Sequence, residues 1–127
     1  MNQKEIENVI ALKPIDRYYY FIKKVADWEE FFTLIDENGE YALSELDNYD
    51  LFPIWSAEEF AQLCKTDGWE NYNIKKLSLD DLGGEIIEFI TTRNCLINVF
   101  PVHSNTGFVV SLKEFIRDLN EELDKIQ

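Results

Sequence analysis

The 127-residue chain contains a single histidine, two cysteines, three prolines and five glycines. Each scarcity closes off a kind of chemistry. His103 has no second histidine and no Cys/His spacing of the sort that holds zinc, so it reads as a solvated loop residue and no metal site is expected. Cys64 and Cys95 form no CxxC and have no histidine beside them in sequence, which marks them as buried small hydrophobes rather than a disulfide or a nucleophile. Gly83-Gly84 completes neither a phosphate-binding loop nor a dinucleotide fingerprint, and no Gly-x-Ser-x-Gly occurs. No catalytic residue and no cofactor are assigned, and an enzyme is the weaker class.

No apolar run approaches the roughly 18 residues needed to span a bilayer. The opening Met1-Asn2-Gln3-Lys4-Glu5 has neither a basic nor an apolar leader region. A soluble, cytoplasmic protein is therefore expected. Basic residues are also few. Twelve Lys and Arg stand against 25 Asp and Glu, a net charge of −13 that disfavours nucleic acid and anionic membranes as partners.

What is present argues for one packed core. The hydrophobic fraction is 46% and the aromatic fraction 14%, well beyond what disordered segments carry. The length suits a single domain over residues 1–127. Residues 4–12 carry a short helical stripe at Ile6, Val9 and Ile10. Pro14 then opens a clearer helix with Ile15, Tyr18, Tyr19, Ile22, Val25 and Ala26 on its apolar side, leaving Tyr20 exposed. Asp36-Glu37-Asn38-Gly39 predicts a hairpin pairing residues 31–35 with 40–43, because Asn-Gly tolerates positive φ. Residues 51–55 read as a third strand, with Pro53 confining it to an edge or an end.

Capping boxes are read at Ser56–Glu59 and Ser111–Glu114, and Ser78 caps through Asp81, each opening a helix. The first places Trp55 to staple onto Phe60, and Gly68 ends that helix. Residues 72–77 form another strand, and the Gly83-Gly84 pair predicts a kink near the start of the Ser78 helix. Residues 95–102 read as a central strand ended by Pro101, a turn at residues 104–107 follows, and residues 108–110 return beside it. The terminal helix carries Leu112, Phe115, Ile116, Leu119, Leu123 and Ile126. The resulting fold class is α+β: a small, mostly antiparallel sheet of about five strands packed against helices.

Charge is distributed unevenly. Between Lys24 and Lys65 there is no Lys, Arg or His, while 11 acids fall there and carry most of the net charge. Such a one-signed surface steers encounter with a basic protein. Glu37, Glu40, Glu45, Asp47 and Asp50 lie in or near turns and are the expected partner-binding residues. A second reading places a small-ligand or metal-responsive site, regulatory or enzymatic, around Pro53, Trp55 and Trp69. A third makes the chain a homodimer through its terminal helix or an open strand edge.

The segments Tyr20-Phe21-Ile22-Lys23-Lys24-Val25-Ala26, Phe31-Phe32-Thr33-Leu34 and Phe52-Pro53-Ile54-Trp55-Ser56 resemble a family of small bacterial proteins, domain of unknown function family 2750. The stretch Leu77-Ser78-Leu79-Asp80-Asp81-Leu82 matches its pattern loosely, and the resemblance runs over about residues 17–110. Phe32 stands where the family pattern has tryptophan. The resemblance implies an α+β fold and a bacterial origin, and carries no activity. By analogy, small acidic bacterial proteins of this architecture include immunity proteins that neutralise basic toxins.

Overall fold

A computed structural model of the chain describes residues 1–103 and 105–126. Helix α1 (Gln3–Ile10) is capped by Asn2, whose side chain accepts from the Glu5 N–H at 2.8 Å. Helix α2 (Pro14–Trp28) starts on Pro14 in its first turn, where the missing N–H has no helical partner to lose. It buries Tyr18, Phe21, Ile22, Val25 and Ala26. The stripe is rotated slightly from expectation: Tyr19 is exposed, and Tyr20 is half-buried, its hydroxyl donating to Glu5 and its ring edge-on to Phe60 and Phe100.

Strand β1 (Glu30–Ile35) follows. The Asp36–Gly39 turn forms as its Asn-Gly pair predicts, with Gly39 at φ 80° and its N–H donating to the Asp36 carbonyl. The expected hairpin is nevertheless reduced to a single bridge between Ile35 and Tyr41, flanked by bonds from Asp36 N–H to the Glu40 carbonyl and from Ala42 N–H to the Leu34 carbonyl. The main partner of β1 is β4 (Asn73–Ser78), antiparallel, with Glu30 opposite Ser78 and Ile35 opposite Asn73. The chain after Ala42 leaves β1 to build a second sheet from β2 (Ser44–Leu46), β3 (Tyr49–Ile54), β5 (Leu96–Val99) and β6 (Phe108–Val110), in the order β2-β3-β5-β6. Only β3 and β5 run parallel. The α+β class holds, but with six strands in two sheets.

Pro53 is a correction. It sits in an interior strand opposite Asn98, not at an edge or an end. Backbone groups alternate sides along a strand, and the Ile54 carbonyl accepts from Phe100 N–H on the β5 side. Pro53 therefore turns its nitrogen away from β5, where β2 has already ended opposite Leu51. No ladder bond is lost there. The Pro53 carbonyl is instead met by the Thr33 hydroxyl of β1 at 2.7 Å. Two residues on, Trp55 exchanges both backbone bonds with Phe32, tying the two sheets together.

The second correction concerns Ser56. Because Trp55 is held in that bridge, the helix starts later: α3 (Glu58–Leu63) has Ala57 at its N-cap with no side-chain cap. Ser56 Oγ is buried and has no hydrogen-bond partner among the described residues. Trp55 is accordingly not at the staple position. The helix ends at Leu63, ahead of Gly68, which takes a left-handed turn conformation at φ 104°.

The Ser78 cap forms as a full reciprocal box, whereas Ser111 forms only the serine half of its box, its hydroxyl and not its backbone N–H meeting the Glu114 carboxylate. Ser78 accepts from Asp81 N–H and Asp81 from Ser78 N–H, opening α4 (Leu79–Asp81). The chain then passes through a π-helical turn (Leu82–Ile86) into α5 (Ile87–Arg93), so the Gly83-Gly84 irregularity appears as one widened turn. Ser111 caps α6 (Leu112–Ile126) through Glu114. The buried side of α6, with Phe115 and Leu119, lies against α2, where Tyr18 donates to Asp118 at 2.6 Å and the Phe21 and Phe115 rings meet.

Ser104 of the expected turn lies outside the described residues; Val102 and Asn105 exchange backbone bonds. Cys64 and Cys95 are buried free thiols, as the sequence suggests.

Candidate functional site

The five predicted carboxylates lie on two turns and one edge hairpin. Glu37 and Glu40 are exposed around the Asp36–Gly39 turn, where the Asp36 carboxylate accepts from Asn38 and Glu40 N–H. Glu45 is exposed on β2, the edge strand, and Asp47 is exposed in the β2–β3 turn at φ 56°. Asp50 is half-buried, less open than expected, because it already belongs to β3. Glu45 and Asp50 are directly opposite across the ladder. Among the described residues none of the five side chains has an ion pair. Like charges facing each other across a strand pair cost stability, on the order of 0.2–1 kcal/mol. On the other side of the hairpin Leu46 faces Tyr49, and both side chains are over 40% exposed (43% and 45%). The tip thus offers uncompensated negative charge with an apolar pair behind it.

The residues of the second reading separate. Pro53 and Trp55 are buried, and Trp55 Nε1 donates to the Pro101 carbonyl at 2.9 Å. Trp69 is half-buried, edge-on to Trp55, and it lines a cavity of about 310 Å³. The cavity exists because the two faces of the four-stranded sheet are covered differently. Ile97, Val99, Phe108 and Val110 share the face that meets α2, seen where Phe108 packs on Tyr18. Pro53 and Asn98 are on the opposite face, which irregular segments 64–69 and 101–107 cover incompletely. Cys64, Asn98 and Pro101 form the inner wall; Glu45, Asp67 and Trp69 stand at the mouth.

Sequence reasoning missed Asn98. Its signal is one amide in an otherwise apolar strand, Cys95-Leu96-Ile97-Asn98-Val99-Phe100. It is 3% exposed, and its Oδ1 accepts from Gly107 N–H at 2.8 Å.

The thiols are not poised as nucleophiles. Cys64 donates to the Pro101 carbonyl, and burial pushes its pKa from 9.0 up to about 11. Burial raises Cys95 as well. His103 is exposed, at φ 47°. Among the described residues no three His, Cys, Asp or Glu side chains gather as a metal site, and no helix is long and apolar enough to cross a membrane.

Helices and two small sheets around a shared aromatic core, with an acidic edge hairpin, define a small α+β protein. The chain belongs to the family described as Protein of unknown function (DUF2750), which matches residues 18–119. No curated protein matches it.

Proposed function

We propose that the chain is a cytoplasmic bacterial binding module that presents the β2–β3 hairpin and the neighbouring Asp36–Gly39 turn to a basic protein. An immunity protein neutralising a basic toxin is one form of this. The observation that supports it is the Glu45–Asp50 opposition: like charges facing each other across the ladder, with no ion pair to either among the described residues, that a partner's Lys or Arg would relieve. Leu46 and Tyr49 supply adjacent apolar contact, in keeping with interfaces whose charge steers and whose buried apolar groups hold.

The test is capture from the native host's lysate by the wild-type chain and by a triple variant, Glu40→Lys, Glu45→Lys and Asp47→Lys. Both are run at about 0.1 M and about 1 M salt, between which the screening length falls from about 10 Å to about 3 Å. A basic protein held by the wild type at low salt, released at high salt and absent from the variant supports the proposal. Equal capture by both chains, or capture indifferent to salt, refutes it.

A further inference from the structure

The two-stranded sheet has an open edge that the acidic hairpin does not use. Phe32 exchanges both of its backbone bonds with Trp55, so its N–H and C=O face away from β4. Backbone groups alternate along a strand, and Phe31, Thr33 and Ile35 therefore face β4, where they stand opposite Leu77, Lys75 and Asn73. The other residues of β4 face outward. Ser78 N–H is met there by the Asp81 carboxylate at 2.8 Å. Among the described residues the N–H and C=O groups of Ile74 and Lys76 have no partner. β4 is six residues long, against three each for β2 and β6, the edges of the other sheet. Charged side chains, lysine above all, are a usual guard of such an edge. Here Lys76 reaches back to Glu30 of β1 at 3.6 Å and Lys75 to the Tyr41 hydroxyl at 3.4 Å, so both heads are engaged within the chain.

We propose that β4 pairs antiparallel with β4 of a second copy of this chain, joining two two-stranded sheets into one of four strands. To set the open residues against each other, the two-fold axis must pass through Ile74, Lys75 or Lys76. An axis at Lys75 or at Lys76 sets lysine against lysine, which is unfavourable. An axis at Ile74 brings the two isoleucines together, sets Lys75 against Asn73 of the second copy, and sets Lys76 against its Tyr72, a cation beside a ring. That register is complementary in charge. β4 also carries no Asp or Glu, in a chain that has 25 of them, so two copies meet here without opposing acids in the paired strands. Both copies have a net charge of −13, and pairing therefore strengthens as salt screens their repulsion. A basic partner at the hairpin responds to salt in the reverse sense, and either reading can stand without the other.

Sedimentation of the full chain up to about 1 mM, at about 0.05 M and about 0.5 M salt, tests it, together with amide shifts of the isotope-labelled chain over the same range. A dimer with a Kd on the order of 0.1 mM is expected at the higher salt, weaker at the lower, with the Ile74 and Lys76 amides shifting most. Asn73 is exposed, so its substitution leaves the monomer folded. Asn73→Glu, facing Lys75 of the second copy, is expected to tighten the dimer roughly two- to thirtyfold, and Asn73→Lys to weaken it by a similar factor. Net charge alone would order the two variants the other way. A chain that stays monomeric at about 1 mM leaves the edge to a different protein and overturns the proposal. So does a dimer whose largest shifts lie on β2, β6 or α6, or one that responds alike to the two Asn73 variants.

Discussion

Replacing Thr33 with valine removes one atom's worth of chemistry at the joint between the two sheets. Thr33 is fully buried, and its hydroxyl donates to the Pro53 carbonyl at 2.7 Å. Valine has nearly the same shape, so the packing is retained while the donor disappears. The Pro53 carbonyl then has no strand partner on that side, since β2 ends opposite Leu51. Stranding a buried carbonyl costs about 1–3 kcal/mol. The added methyl returns about 0.8 kcal/mol of transfer free energy. The net expectation is a loss of about 0.2–2 kcal/mol, which for a chain of this length lowers Tm by roughly 1–10 °C.

Thr33→Ser separates the two contributions. It keeps the hydroxyl and removes the methyl, costing about 1 kcal/mol by transfer and cavity formation. Urea and thermal unfolding of the three proteins supply the stabilities. Amide exchange at Phe32 and Trp55, the neighbouring bridge, reports whether the Thr33→Val loss is local to the joint. A Thr33→Val protein as stable as wild type, with unchanged exchange at the bridge, would refute the role assigned to this bond.

Two glycines should respond oppositely to alanine. A Cβ on Gly107 would lie 2.2 Å from the Val99 carbonyl oxygen and 2.7 Å from Phe100 backbone atoms, so Gly107→Ala should cost about 1–3 kcal/mol or more in a urea titration. A Cβ on Gly84 meets nothing within 4 Å, and Gly84→Ala should stabilise by about 0.4–1 kcal/mol through the unfolded chain. Stability should also fall as pH rises from about 9 to about 11. Burial keeps Cys64 protonated to about 11 while the unfolded thiol ionises near 9.0, so in that window the unfolded state binds fewer protons and gains. Tyr20, raised by burial and its bond to Glu5 to about 12, extends the decline. Urea midpoints at pH 8 and at pH 10.5 measure this, and Cys64→Ala should flatten the Cys64 part of the slope.

Local signals in the sequence were reliable where the structure stayed local. Pro14 opens α2, Ser78 and Ser111 cap their helices, and residues 108–110 return beside β5. The Asn-Gly turn was legible too, but not the partner of β1, because β4 lies some forty residues on and nothing in residues 31–35 encodes that distance. Pro53 misled for a related reason. A missing N–H excludes a residue from a ladder only on the side it would have pointed, and that side is set by tertiary neighbours. The Ser56 box failed because Trp55 is pinned to Phe32, delaying the helix by one residue. Of the candidate site, the carboxylates of exposed turns were readable from charge alone. The cavity was not, since its inner wall joins Cys64, Asn98 and Pro101 from three separate segments.

The acidic hairpin is the proposed binding face. Amide chemical-shift mapping on the isotope-labelled chain, titrated with the captured basic protein, tests it most directly. The account predicts that the largest changes fall on residues 36–40 and 44–50 and diminish at about 1 M salt. Changes centred on α1 or α6, with those two segments unmoved, would contradict it.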